Sequence, residues 1–167
     1  MAMDGDDIRL EHSDGWAAYE RIETFLAADG WDPEEIEGMT AFSARFAGKH
    51  SEYRVVTHVN IELEQLYCYA CPPFLVPEHR RSAVAEYITR ANYGLRIGNF
   101  ELDMRDGEIR YKASLDFEGV GLCDQLIRTT LYPAVGTLDR YFPGLVSVSN
   151  DGADPAEVIA TIEAERG

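Results

Sequence analysis

Between residues 97 and 117 apolar and polar side chains alternate strictly on both sides of a turn signal. Phe100, Leu102 and Met104 interleave with Asn99, Glu101 and Asp103; after Asp106-Gly107, Ile109, Tyr111, Ala113, Leu115 and Phe117 interleave with Arg110, Lys112, Ser114 and Asp116. Period-two patterning predicts two strands, and Asp-Gly supplies the positive φ angles of a type I′ turn. A two-residue loop sets Met104 opposite Ile109, Leu102 opposite Tyr111 and Phe100 opposite Ala113. The same register pairs Asp103 with Arg110 and Glu101 with Lys112, so one face is apolar and the other a ladder of opposite charges.

The rest of the chain reads as a helix, three strands and a helix before this hairpin, and a helix after it. Tyr19, Ile22, Phe25 and Leu26 recur at helical spacing over about 15–29, with Ser13 or Asp14 as the cap and Gly30 as the terminator. Residues 32–38 read as a polar connector. A strand over about 39–47 puts Phe42, Ala44 and Phe46 on one face. In the next, Tyr53, Val55, Val59 and Ile61 alternate with Arg54, His58 and Asn60. The third, about 64–72, is apolar on both sides: Leu66, Cys68 and Ala70 on one, Tyr67, Tyr69 and Cys71 on the other. Such a strand needs cover on both faces, from its own chain or from a partner. Pro72-Pro73 ends it.

A second helix is predicted over about 77–94, with Pro77 in its first turn and Val84, Tyr87, Ile88, Ala91 and Leu95 as its stripe. A third, about 121–142, carries Leu122, Leu126, Ile127, Ala134, Leu138 and Phe142, with Pro133 inside it and Pro143-Gly144 as its stop. Asp154 caps a short last helix from Pro155 to Glu165. The expected architecture is α+β: a single antiparallel five-stranded sheet with packed helices, in the order α-β-β-β-α-β-β-α plus a short C-terminal helix. The first and third helices should cover the face carrying Phe100, Leu102, Tyr111 and Leu115. The expected organisation is a flexible N-terminus over 1–12, one domain over 13–146 and a C-terminal helical extension over 147–167.

Composition narrows the function classes. A chain of 167 residues, 46% hydrophobic, can bury a core without metal or disulfide. No apolar run approaches the roughly 20 residues of a membrane helix, and the acidic N-terminus is unlike a secretory signal, so no membrane role and a cytoplasmic location are expected. A net charge of -15 argues against nucleic acid, because phosphate binding needs a basic surface that this field opposes.

Candidate chemistry is sparse. Cys68-Tyr69-Ala70-Cys71 has the C-x-x-C spacing, but on a strand positions three apart point to opposite faces, and Cys123 is the only other cysteine. These read as free thiols. His58, Asn60 and Glu62 could share a strand face at a chelating spacing; with Arg54 on the same face they read as solvated, and no metal or cofactor is expected. His79 and Glu78 open a helix, where an acid suits the dipole, and His12 and His50 fall in loops. Glu101 and Asp103 are occupied by cross-strand bases. No Gly-x-Ser-x-Gly elbow or phosphate-cradling Gly-x-x-x-x-Gly-Lys loop occurs. No catalytic residue is assigned.

Several joints carry a resemblance. They are the Val-Pro-Glu-His-Arg approach to the second helix, the segment from Glu86 to Leu95, Gly98 to Asp103, Asp106 to Tyr111, and Asp139-Arg140-Tyr141-Phe142-Pro143. Together with the element order they resemble the YbjN family of bacterial proteins over about residues 15–145. The resemblance implies the fold of type III secretion chaperones, small acidic proteins that dimerise and hold partner polypeptides without hydrolysing anything, and a label of sensory-transduction regulator. The expectation is thus a non-enzymatic protein-binding module, chaperone-like or a regulatory adaptor, that forms a homodimer and takes a protein or peptide client. The alternative is a small-molecule sensor with a pocket between sheet and helices. Tyr67, Tyr69 and Tyr87 are the candidate protein-binding residues, because tyrosine offers a large ring with a hydroxyl that tolerates water. The competing reading places all three in the core.

Overall fold

The computed structural model describes residues 14–164, so Ser13, His12 and the N-terminus expected over 1–12 lie outside the described residues. The first helix, α1 (Asp14–Ala28), buries Ala18, Ile22, Phe25 and Leu26, and Gly30 turns the chain at a φ of 81°. Within the expected connector lies a strand that the pattern does not reveal, β1 (Glu34–Glu35). Two exposed glutamates have no apolar alternation; backbone pairing alone makes them a strand, extended by the Ile36 amide donating to the Ala41 carbonyl at 2.9 Å. The sheet therefore has six strands, not five. The others are β2 (Ala41–Ala47), β3 (Glu52–Asn60), β4 (Gln65–Cys71), β5 (Asn99–Leu102) and β6 (Ile109–Asp116), in the order β1-β2-β3-β4-β6-β5. Every pairing is antiparallel.

After a 3-10 turn at Glu78–Arg80 comes α2 (Arg81–Tyr93), then β5 and β6, and then α3 (Asp124–Val146). The expected stop at Pro143-Gly144 is not used. The helix continues to Val146, widens into a π turn over Ser147–Asp151 and ends at Gly152, with a φ of 75°. Tertiary packing overrides the local signal: a Cβ on Gly144 would sit 2.6 Å from the Tyr87 hydroxyl and 2.7 Å from Val158, so glycine is needed for close approach. Leu145 and Val148 are buried beyond it, and the Arg80 guanidinium donates to the Val148 carbonyl at 2.6 and 2.9 Å. The final helix, α4 (Pro155–Ala164), begins where the Asp154 carboxylate accepts the Ala156 and Glu157 amides at 3.0 Å.

The hairpin forms, but two residues out of the expected register. Leu102 faces Ile109, Glu101 faces Arg110, Phe100 faces Tyr111 and Asn99 faces Lys112. An even slip keeps each side chain on its expected face. Contacts from elsewhere hold the wider loop: the Val76 amide donates to the Gly107 carbonyl, and Arg81 donates to the carbonyls of Met104 and Arg105. Asp103 consequently does not meet Arg110. Its carboxylate accepts the amide and guanidinium of Arg105, which hold its pKa down to about 2.

The core lies between one face of the sheet and the helices. Phe42 and Ala44 of β2, Tyr53, Val55 and Val59 of β3, Leu66, Cys68 and Ala70 of β4, and Ile109, Tyr111 and Ala113 of β6 are buried there, as is Phe100. Leu102 and Leu115 pack at its margin. α3 lies along β4 and β6, and α1 along β3. Asp139 of α3 ties down the β2–β3 turn, accepting the Lys49 and His50 amides at 3.0 and 2.9 Å and the Tyr53 hydroxyl at 2.7 Å. Burial pushes its carboxyl up, but these donors outweigh burial and hold it below the usual carboxylate range.

Candidate binding surface

Alternation along β4 sends Leu66, Cys68 and Ala70 into the core and Tyr67, Tyr69 and Cys71 to the reverse face, against which no helix of the described residues packs. The reverse face is the sheet's own open surface. β4 is central, between β3 and β6, so Tyr67 is flanked by His58 and Ser114, and Tyr69 by Val56 and Lys112. The Tyr67 and Tyr69 rings are nearly parallel, with centroids 6.4 Å apart, and His58 stacks on Tyr67 at 5.7 Å. The Arg110 guanidinium lies 4.3 Å above the Tyr69 ring, close enough for a cation–π contact. The result is a continuous ladder of imidazole, phenol, phenol and guanidinium, half-buried along its length.

Polar bonds fix the ladder's ends. Glu101 accepts from Arg110 at 2.8 Å and also pairs with Lys112. Burial pushes the Glu101 carboxyl up, and the two cations more than reverse that shift. At the other end the Tyr67 hydroxyl donates to the Gln65 side chain, which in turn donates to Asp116 at 3.1 Å. Burial lowers the pKa of His58 below its ordinary value.

Of the three tyrosines singled out by sequence, Tyr67 and Tyr69 come together and Tyr87 does not. Tyr87 is fully buried on the helix side, where its hydroxyl donates to the Tyr141 carbonyl at 2.7 Å. The alternation of β4 separates the two environments, whereas a helical stripe alone cannot say which tyrosine reaches its rim. His58 and Arg110, which complete the ladder, were legible only as strand-face residues; their stacking depends on strand order.

The other candidates sit in structural roles. Cys68 and Cys71 are buried free thiols on opposite faces, and burial pushes Cys68 up to about 12. Cys123 is a free, exposed thiol. β3 ends at Asn60, so Glu62 lies in the following turn rather than on a shared face with His58. Glu78 and His79 occupy the 3-10 turn, and His50 the turn held by Asp139. A groove of about 720 Å³ wraps round one end of the sheet, lined by Arg45, Arg54 and Cys71 from the reverse face and by Trp31, Ala44 and Tyr53 from the helix side. Among the described residues no group of three or more His, Cys, Asp or Glu is placed to hold a metal ion, and no helix is long and apolar enough to cross a membrane.

An antiparallel sheet with helices on one face and an aromatic, hydrogen-bonded ladder on the other makes this a small α+β domain. The chain belongs to the YbjN family, described as "Putative bacterial sensory transduction regulator", whose family profile matches residues 18–147. Its fold is similar to that of a chain in the crystal structure of the ExsC–ExsE complex, with a TM-score of 0.58 and 15% identity over 78% of this chain and 95% of that one. It is also similar to YbjN of E. coli, with a TM-score of 0.54 and 12% identity over 75% and 92% of the respective chains. At these identities the likeness is one of fold. No curated protein matches in sequence.

Proposed function

We propose that this protein is a non-enzymatic, cytoplasmic binding module that holds a polypeptide partner on the helix-free face of its sheet, with Tyr67 and Tyr69 as anchors. The aromatic ladder carries this reading. Large rings, preordered by stacking and by the Gln65 and Arg110 contacts, offer apolar area at little further entropic cost. The fold likeness to a chain of a protein–protein complex supports a polypeptide partner. Among the described residues Cys68 is a buried thiol and the Asp103 and Glu101 carboxylates are committed to bases, which accords with a binding role for this face.

Capture of partners from native lysate, identified by mass spectrometry, tests the reading when wild type is compared with Tyr67→Ala and Tyr69→Ala. The expected result is loss of specific partners at a nearly unchanged melting temperature. Retention of all partners by both variants overturns it.

We also propose that two copies associate, through a surface other than the tyrosine ladder, since a closed two-fold pair is the commonest soluble oligomer. Gel filtration with light scattering should give twice the chain mass; a mass near 18.7 kDa at micromolar concentration sinks the dimer.

A further inference from the structure

Four of the large apolar side chains that the fold leaves in solvent gather at one end of the sheet. Trp16 is 58% exposed, Met39 50%, Leu63 57% and Val120 77%. They come from four separate segments that hydrogen bonds and close packing bring together. The Asp14 amide donates to Glu64 at 3.0 Å, and Gly15 lies so close to Ile61 that a Cβ would stand 2.4 Å from its carbonyl oxygen. The Phe117 amide donates to the Glu64 carbonyl at 3.0 Å, and Val120 follows one turn later, between Gly119 and Gly121. The Val59 amide donates to the Thr40 carbonyl, which puts Met39 beside Asn60, and Asn60 in turn accepts the Leu63 amide at 3.0 Å.

The charge carried by these segments is of one sign. The four segments (14–16, 37–40, 60–64 and 116–121) carry Asp14, Glu37, Glu62, Glu64, Asp116 and Glu118 and contain no Lys, Arg or His. An exposed apolar patch with a polar rim marks an interaction site rather than ordinary surface. A predominantly acidic rim on a chain of net charge -15, whose neighbouring cation Arg21 is itself paired with Asp124 at 3.0 Å, repels acidic partners and draws basic ones.

We propose that this end of the sheet is a second docking surface, whose occupant is a cationic amphipathic segment of a partner protein. Its apolar side chains cover Trp16, Leu63 and Val120, and its Lys or Arg residues meet the acidic rim. The proposal rests on the reading of the chain as a binding module but uses a surface apart from the tyrosine ladder.

Trp16 makes the test direct, because it is exposed while Trp31 is buried. The full chain is titrated with a synthetic lysine–leucine peptide of helical amphipathic spacing. The comparison peptide has the same composition scrambled so that it has no apolar face. Trp16 emission should shift to the blue with the amphipathic peptide, and the scrambled one should bind about tenfold more weakly or worse. The double variant Leu63→Ser/Val120→Ser changes only exposed side chains and should lose roughly tenfold or more in affinity, in line with losing apolar burial. Glu37→Gln/Glu62→Gln should bind more weakly and with a shallower salt dependence. Leu75→Ser, an exposed apolar change at the groove, should leave the titration unaltered. Equal binding of the two peptides, equal binding by the Leu63/Val120 variant, or no binding overturns the proposal. Tyr67→Ala and Tyr69→Ala should leave this titration unchanged while abolishing partner capture. Failure of the ladder and failure of the patch are thereby read separately.

Discussion

The two faces of the sheet are made from the same strands, alternate residue by alternate residue, yet they solve different problems. On the helix side Leu66, Cys68, Ala70, Tyr111 and Ala113 are fully buried, and the polar group of Tyr87 among the packed helices finds a backbone partner. On the reverse side Tyr67, Tyr69 and His58 stack on one another, and Arg110 and Lys112 at the ladder's end both pair with Glu101. The helix side takes its order from exclusion of water. The reverse side takes its order from in-plane contacts between neighbouring strands, which hold rings in place while leaving them reachable. A face built that way can bind without the fold depending on it.

That contrast can be broken by substitution. The largest effect should come from Leu66→Asp: an unpaired carboxylate at a fully buried position costs several kcal/mol against a total stability of about 5–15 kcal/mol. Circular dichroism should show an unfolded chain, and a native-like melt would mean that the helix side is not the core. Next comes Tyr87→Ala, which removes a buried ring and its hydroxyl bond to the Tyr141 carbonyl. A loss of about 3–5 kcal/mol in urea titration is expected. Tyr69→Ala, equally large in volume removed, should cost clearly less, about 1 kcal/mol, because its ring lies partly exposed on the sheet's open face and is held by a cation–π contact. Equal losses at Tyr87 and Tyr69 would erase the distinction between the faces.

The sequence carried the faces more fully than the boundaries. Alternation placed each β4, β5 and β6 side chain on its correct side, since side-chain direction depends only on parity; the hairpin's register, which also depends on contacts from Val76 and Arg81, came out two residues away. Pro143 and Gly144 were strong local stop signals, but a close approach to Tyr87, Val158 and Ile162 turned the glycine into a packing residue inside a longer helix. β1 was invisible because two glutamates have no hydrophobic period. Of the candidate surface, the outward aim of Tyr67 and Tyr69 was legible. The ladder was not, because His58 and Arg110 reach the tyrosines from strands whose order no local pattern encodes.

The smallest effect sharpens the comparison at one residue, His58. Burial lowers its folded-state pKa below the ordinary histidine value near 6.5. The charged groups around it on the reverse face are Arg54 on its own strand, Arg45 of β2, Glu34 of β1, and Arg110, Lys112 and Asp116 of β6, the first two of these three with their partner Glu101. The sign follows from linkage: a base whose folded pKa is depressed binds protons more readily when the chain is unfolded, so acid favours unfolding. Above about pH 7.5 the imidazole is neutral in both states and contributes nothing. As pH falls through about 6.5 the unfolded chain takes up its proton first, and stability declines until the folded-state pKa is also passed. His58→Gln removes this term. Melting curves of wild type and variant should therefore keep a constant offset between about pH 7.5 and 9 and converge in relative favour of the variant below about 6.5. A parallel pH dependence in the two proteins would show that His58 is as well solvated as an ordinary surface histidine, and that the ladder is wetter than its stacking implies.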